Sequence, residues 1–212
     1  MSMDAGLVGH WKFNEKSGIT ANDSSRYRNI GTLIGATHLP VWSDKGIKFD
    51  GVDDYVDAGN NPSLNITNAI TVEAWFKKSG NVAYMALIAK GTYGSDVNIP
   101  YQIRWNGDVT ALVFYISNGT TIEGISVGVT DANWHQVVGV VTETKVRLFL
   151  DGILKAEIDR TIGNISTTTN VLNIGKGYAC FNGSIDEVRI YNRSLSANEI
   201  KRNYEATKHN YI

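Results

Sequence analysis

The chain has 212 residues, 42% of them hydrophobic and 10% aromatic, and its 20 Lys and Arg nearly balance 21 Asp and Glu for a net charge of −1. That balance argues against a nucleic-acid partner, which demands a basic footprint. The absence of any run of 18 apolar residues excludes a membrane-spanning helix. The single cysteine, Cys180, excludes an internal disulfide and reads as a small packed hydrophobe.

In chain order, the first candidate strand is GLVGHWKF, residues 6–13. The segment FDGVDDYV, residues 49–56, gathers Asp50, Asp53 and Asp54 in a tight loop, where their oxygens suit turn N–H groups, with a metal or ligand role as the alternative. A short turn is expected near residues 62–64. Over residues 71–77, Val72, Ala74 and Phe76 alternate with Glu73, Trp75 and Lys77, the period of a strand with one buried face. Trp11, Trp75 and Trp134 are expected in the core. Asn106-Gly107 and Asn118-Gly119 are tight-turn pairs, and they predict a meander over residues 100–105, 110–117 and 121–127. WHQVVGVV, residues 134–141, is nearly continuous apolar sequence, as in a strand buried on both sides or flanked by wide neighbours. Residues 146–150 alternate again before the Asp151-Gly152 turn, and Asn182-Gly183 marks another.

Residues 184–191 place Asp186 in phase with Val188 and Ile190, on the inward face, where a lone carboxylate is costly unless something pairs with it or binds it. Ser196 and Glu199 have capping-box spacing, and Leu195 and Ile200 sit as a hydrophobic staple, so a helix is expected from about residue 197 to 207. More than ten short strands and one short C-terminal helix predict an all-β, two-sheet antiparallel sandwich. With no linker and no internal repeat, residues 1–212 read as a single domain.

The order of these segments resembles LamG-like (concanavalin A-like) jelly-roll domains. GLVGHWKF is similar to the family's opening strand, and FDGVDDYV, TVEAWFK, WHQVVGVV, VRLFLDG and LNIG follow in the family's order. FNGSIDEVRIYNRSLSANEI, residues 181–200, resembles its last strand and trailing helix. The resemblance spans about residues 5–205. It implies a jelly roll that serves as a carbohydrate-binding or adhesion module in an extracellular, cell-surface or virion setting. It also implies a structural calcium joining the N-terminal strand end to an Asp of the last strand. Asp186 would then be a ligand, with Asn14, Glu15 or the Asp23 loop supplying others; hard oxygen donors of this kind suit calcium. The alternative is that Asp186 accepts backbone N–H groups of the N-terminal turn.

Catalysis is not expected. Glu157-Ile158-Asp159 begins the two-carboxylate strand of the glucanases on this fold, but Arg160, Thr161 and Ile162 follow and the third acid is missing. Glu157 and Asp159 read as a salt bridge or a solvated edge. For glycan binding, alternation puts Gln102 and Arg104 opposite Ile103, and Tyr115 opposite Phe114. Gln102, Arg104 and Tyr115 are therefore expected on one exposed sheet face, bordered by the loop 91–98 with Tyr93 and Asp96. The ending NYEATKHNYI, residues 203–212, is similar to tails of LamG-like domains in phage structural proteins, which sets contacts with neighbouring structural proteins beside a glycan ligand.

Overall fold

Alternating apolar and polar residues, punctuated by Asn-Gly and Asp-Gly turns, lay the chain out in strands. The computed structural model describes residues 4–91 and 93–212. Residues 1–3 and Thr92, which fall in the expected domain span and in the loop 91–98, lie outside the described residues. In order the strands are β1 (Leu7–Trp11), β2 (Thr20–Ala21), β3 (Gly31–Ile34), β4 (Val41–Trp42), β5 (Ile47–Asp50) and β6 (Tyr55–Asp57). Then come β7 (Ile70–Lys78), β8 (Ala86–Lys90), β9 (Tyr101–Trp105), β10 (Ala111–Ser117) and β11 (Ile122–Gly128). The series closes with β12 (Trp134–Val141), β13 (Lys145–Leu150), β14 (Ile153–Asp159), β15 (Leu172–Ile174), β16 (Asn182–Tyr191) and the helix α1 (Ala197–Thr207).

Two antiparallel sheets form. Sheet one runs β14-β13-β12-β7-β16-β5-β4, with β1 also on β16, and sheet two runs β11-β10-β9-β8-β15-β6-β3-β2. Trp11, Phe49, Phe76, Trp105, Phe114 and Phe181 fill the space between them and are fully buried. The expected meander is β9-β10-β11, paired antiparallel through both turns. A 3-10 turn occupies Pro62–Leu64. The Ser196 hydroxyl accepts the Glu199 N–H while Glu199 accepts the Ser196 N–H, so the capping box is closed. Leu195 and Ile200 pack with Val138, Val140 and Phe149, whereas Val137 and Val141 face the main core. Strand β12 is thus covered on both sides, which explains its unbroken apolar sequence. On the edge strand β14, Glu157 pairs with Arg147 at 2.5 Å and Asp159 with Lys145 at 2.7 Å. Cys180 is buried.

Strand β16 breaks simple alternation. It pairs with β5 through residues 182–185 and with β1 through residues 188–191. Between them Glu187 takes φ 51, and the register against β7 shifts from Asp186 to Arg189. A bulge inserts one residue and inverts the parity of everything beyond it. Ile185, Val188 and Ile190 all face the core, while Asp186 lies on the outer face with its Oδ2 accepting the Tyr211 hydroxyl at 2.8 Å. The expected inward placement of Asp186 is therefore overturned.

That outer face is sealed by α1 and the residues after it. Trp75 is fully buried there rather than in the main core, stacked on Tyr204 at 5.5 Å and Tyr211 at 4.1 Å. Trp134 is half-buried beside Tyr211. Beneath α1, Glu73 accepts from Arg189 Nη1 and Gln136 Nε2, both at 2.8 Å, and from Asn203 Nδ2 at 3.0 Å. A buried carboxylate with three donors is satisfied.

Candidate functional site

The outer face of sheet two is built differently. Strand pleating sends Tyr101, Ile103 and Trp105 of β9 into the core and Gln102 and Arg104 to the opposite side. Tyr115 of β10 stands directly opposite Gln102, so the three residues share one face as the sequence predicts. They are not an exposed face, however. Gln102 is 0% and Arg104 5% exposed. The cover is the loop after β8: Asp96 accepts from Gln102 Nε2 at 3.0 Å through one oxygen and from Arg104 Nη2 at 3.1 Å through the other. Room for this arrangement comes from β8, which places Ala86 opposite Arg104 and Ala89 opposite Gln102.

Three tyrosines enclose the Arg104 guanidinium, whose carbon lies 4.7 Å from the Tyr115 ring centre, 5.1 Å from Tyr84 and 5.6 Å from Tyr178. Cations over aromatic faces are attracted by the ring quadrupole. Tyr84 and Tyr178 remain 47% and 40% exposed. With Asp96 and Arg104 they line an open hollow of about 240 Å³. Burial, followed by the charge of Asp96, pushes the Tyr178 hydroxyl pKa up, so it stays protonated as a donor. Tyr93 borders the site, 6.3 Å from Tyr178, with its hydroxyl donating to the Lys176 carbonyl and accepting from Asn173. Arg104 Nε and Gln102 Oε1 are buried without a protein partner. Chemically, the site offers two aromatic flanks, a paired cation and anion, and unused hydrogen-bonding capacity.

Tyr178 escaped sequence reasoning because it arrives from the segment between β15 and β16 and carries no local signal. Tyr84 holds φ 60 in the segment before β8, a backbone state its sequence does not announce. Larger hollows exist. One of about 420 Å³ is lined by Asp4, His10, Lys12 and Arg26, and one of about 590 Å³ lies beside Arg147, Arg193 and Arg202; neither is lined by Phe, Tyr or Trp. A hollow of about 340 Å³ beside Trp134 and His135 does have rings, but Tyr204 and Tyr211 there are committed to the stack on Trp75. His135 is held between Asp151 at 2.7 Å and Asp131 at 3.0 Å, and those carboxylates raise its pKa.

The residues expected to hold calcium are spread over separate tasks. Asp23 Oδ1 accepts the N–H groups of His10 and Ser25, and Oδ2 accepts the Asn29 N–H and the Ser25 hydroxyl. Asp186 is occupied by Tyr211 and by the Glu187 N–H, not by the N-terminal turn, and burial pushes its pKa up to about 7. Asn14 is exposed. Glu15 Oε1 accepts from Asn22, while its Oε2 is buried without a partner. Glu15 thus keeps a hard oxygen that fits a cation, whereas Asp23 and Asp186 are already committed to hydrogen bonds. Among the described residues, no group of three or more His, Cys, Asp or Glu is arranged around a metal position. Asp50, Asp53 and Asp54 serve turn donors, as expected: Asp54 accepts the Asp50 N–H, Asp50 that of Val52, and Asp53 that of Thr37.

Among solved structures, the chain is similar to domain 4 of AbnA, a GH43 extracellular arabinanase from Geobacillus stearothermophilus, in complex with arabinotriose. That match has 17% identity, a TM-score of 0.71, and covers 93% of this chain and 98% of that one. The binding domain of botulinum neurotoxin serotype D/C matches at 14% identity and a TM-score of 0.77, and that of Paraclostridial Mosquitocidal Protein 1 at 14% and 0.74. Each covers 97% of this chain, which spans about half (53%) of those longer binding domains. At such identities the likeness is one of fold. No curated protein matches the chain in sequence. The family model described as the concanavalin A-like lectin/glucanases superfamily matches residues 50–201, and with the two-sheet jelly roll around it this chain belongs to that superfamily.

Proposed function

We propose that the protein is a non-catalytic carbohydrate-binding or adhesion module, with residues 1–212 acting as one extracellular, cell-surface or virion domain. The observation that carries this reading is the Arg104–Asp96 pair set between the exposed rings of Tyr84 and Tyr178, with Arg104 Nε and Gln102 Oε1 still unpartnered. Binding sites for small polar ligands combine apolar walls with a few convergent polar groups, and this hollow does so. Support also comes from relatives in fold: one is an arabinanase domain in complex with arabinotriose, and others are toxin binding domains. Tyr93, Gln102, Arg104 and Tyr115 form the floor and border of the proposed site, and Tyr84, Asp96 and Tyr178 its rim. Catalysis is disfavoured because Glu157 and Asp159 sit salt-bridged on an edge strand.

A glycan array followed by calorimetry tests the proposal. Tyr178→Ala and Tyr84→Ala, both at exposed rings, are expected to weaken binding about tenfold or more while the melting temperature stays close to that of the parent. Unchanged affinity in both variants removes the site. Release of reducing sugar from the bound glycan would instead make the protein a glycosidase.

Calcium enters this reading as a stabiliser held through Glu15 and Asn14. Melting in calcium and then in chelator tests it, and superimposable curves eliminate the metal. A second reading, a virion or surface structural domain that uses the jelly roll for protein contacts, is favoured by the exposed Leu39 and Val41, which line a hollow of about 360 Å³ beside the edge strand β4. An array without any bound glycan, together with co-sedimentation on assembled particles, would favour it.

A further inference from the structure

From the charge balance and hydrogen-bond inventory of the Arg104 hollow, we infer that its ligand is a neutral sugar ring presenting a vicinal diol, and not a glycan recognised through a carboxylate, sulfate or phosphate. The inference rests on the carbohydrate-binding reading and narrows it.

Three observations lead there. First, the hollow is neutral. Arg104 is the cation of its lining and Asp96, 3.1 Å away, is the counter-ion. An incoming anion would meet the Asp96 carboxylate as well as the guanidinium, so attraction and repulsion nearly cancel. Lys176, the neighbouring cation, is turned over the Tyr55 ring at 3.9 Å.

Second, the fork that grips anions is already occupied. Bidentate recognition of a carboxylate uses two parallel N–H groups of one guanidinium. In Arg104, Nη2 donates to Asp96 and Nη1 to the Trp105 carbonyl at 3.2 Å. The rings of Tyr84, Tyr115 and Tyr178 lie around the guanidinium and crowd a second carboxylate.

Third, the unused capacity is mixed. On the open rim the partly exposed Asp96 carboxylate is an acceptor, and the Tyr84 and Tyr178 hydroxyls can donate or accept. Hydroxyls donate and accept, whereas sulfate and carboxylate groups only accept. Two adjacent hydroxyls can accept a hydrogen bond from a rim tyrosine hydroxyl and donate one to Asp96, while the apolar face of the ring lies against Tyr84 or Tyr178. A site built to pair hydroxyls discriminates strongly against ligands that leave its buried groups unpaired.

The experiment is calorimetric titration of the whole chain with matched probes: arabinotriose and lactose as neutral ligands, and sialyl-lactose and sulfated lactose as acidic ones. The expected result is binding of a neutral probe with an affinity insensitive to salt, and loss of about tenfold or more when the acidic group is added. Asp96→Asn is expected to narrow that gap by relieving the acidic probe. Tighter binding of an acidic probe, or affinity that falls steeply with salt, overturns the inference and leaves the carbohydrate-binding reading standing. Failure of all four probes, with no hit on a wider neutral array, removes both together. Should Asp96→Asn fold poorly, the salt series on the parent protein decides by itself.

Discussion

Each sheet carries an arginine on its outer face, Arg104 buried and Arg189 largely covered, and the two are treated in opposite ways. Arg189 on sheet one pairs with Glu73 and Glu187, and Glu73 takes two further donors, from Gln136 and Asn203. Helix α1 and the Trp75–Tyr204–Tyr211 stack then close over the network. Arg104 on sheet two has one acid, Asp96, and three rings, two of which face water. The same pairing chemistry becomes a structural anchor where every partner is supplied and the cover is complete. It becomes a candidate recognition site where donors and acceptors are left over beneath an open rim.

Breaking the sealed side should produce the largest effect. Glu73→Ala leaves Arg189 with Glu187 alone and deprives Gln136 and Asn203 of their acceptor under α1, and loss of one partner of a buried pair costs about 3–5 kcal/mol, readable as a lower urea midpoint. A variant as stable as the parent would show that the network anchors nothing. Arg104→Met, the matching change on the open side, should cost less stability because Asp96 lies on a solvent-facing loop, yet it should abolish most glycan binding. Equal destabilisation by the two variants would erase the distinction between the faces.

A smaller effect should appear in the pH dependence of the sealed face. Burial raises the Asp186 pKa from its ordinary 3.8 to about 7, and Asp54 shifts likewise. Between those values the folded state holds a proton that the unfolded chain has released. The contribution of Asp186 to stability is therefore full below about pH 4 and is lost as pH rises toward 7. Asp186→Asn should flatten the decline across that window by the slope of one proton, with Asp54 supplying what remains. An unaltered slope in chemical denaturation would mean that Asp186 does not titrate there. The least costly of these changes is Ser196→Ala, which removes the α1 cap and should lower stability by about 1 kcal/mol without altering binding.

Much of the fold was legible because its signals are local. The Ser196–Glu199 box, the Asn106-Gly107 and Asn118-Gly119 turns and the unbroken apolar run of β12 each declare an element within about ten residues. Gln102, Arg104 and Tyr115 could be assigned to one face by parity. Their concealment could not, since it depends on Asp96 folding back over them. Tyr178 joins the site only because β15 pairs with β8. Asp186 was misplaced because a bulge at Glu187, a residue with no special tolerance for positive φ, inverts the parity on which its inward placement relied.

The divided strand β16 has a further consequence, for the order of events during synthesis. It lies in the middle of sheet one, with β7 on one flank and both β5 and β1 on the other. Until the ribosome has released residues 182–191, β1 has no strand partner in that sheet, β5 has only β4, and Trp11 and Phe49 have no closed interior. A nascent chain ending at Phe181 should be readily degraded by protease and show no cooperative melt, while one extended past Tyr191 gains both. The sandwich is fastened late, by a seam that ties β1 to β16, the first and last strands of the fold.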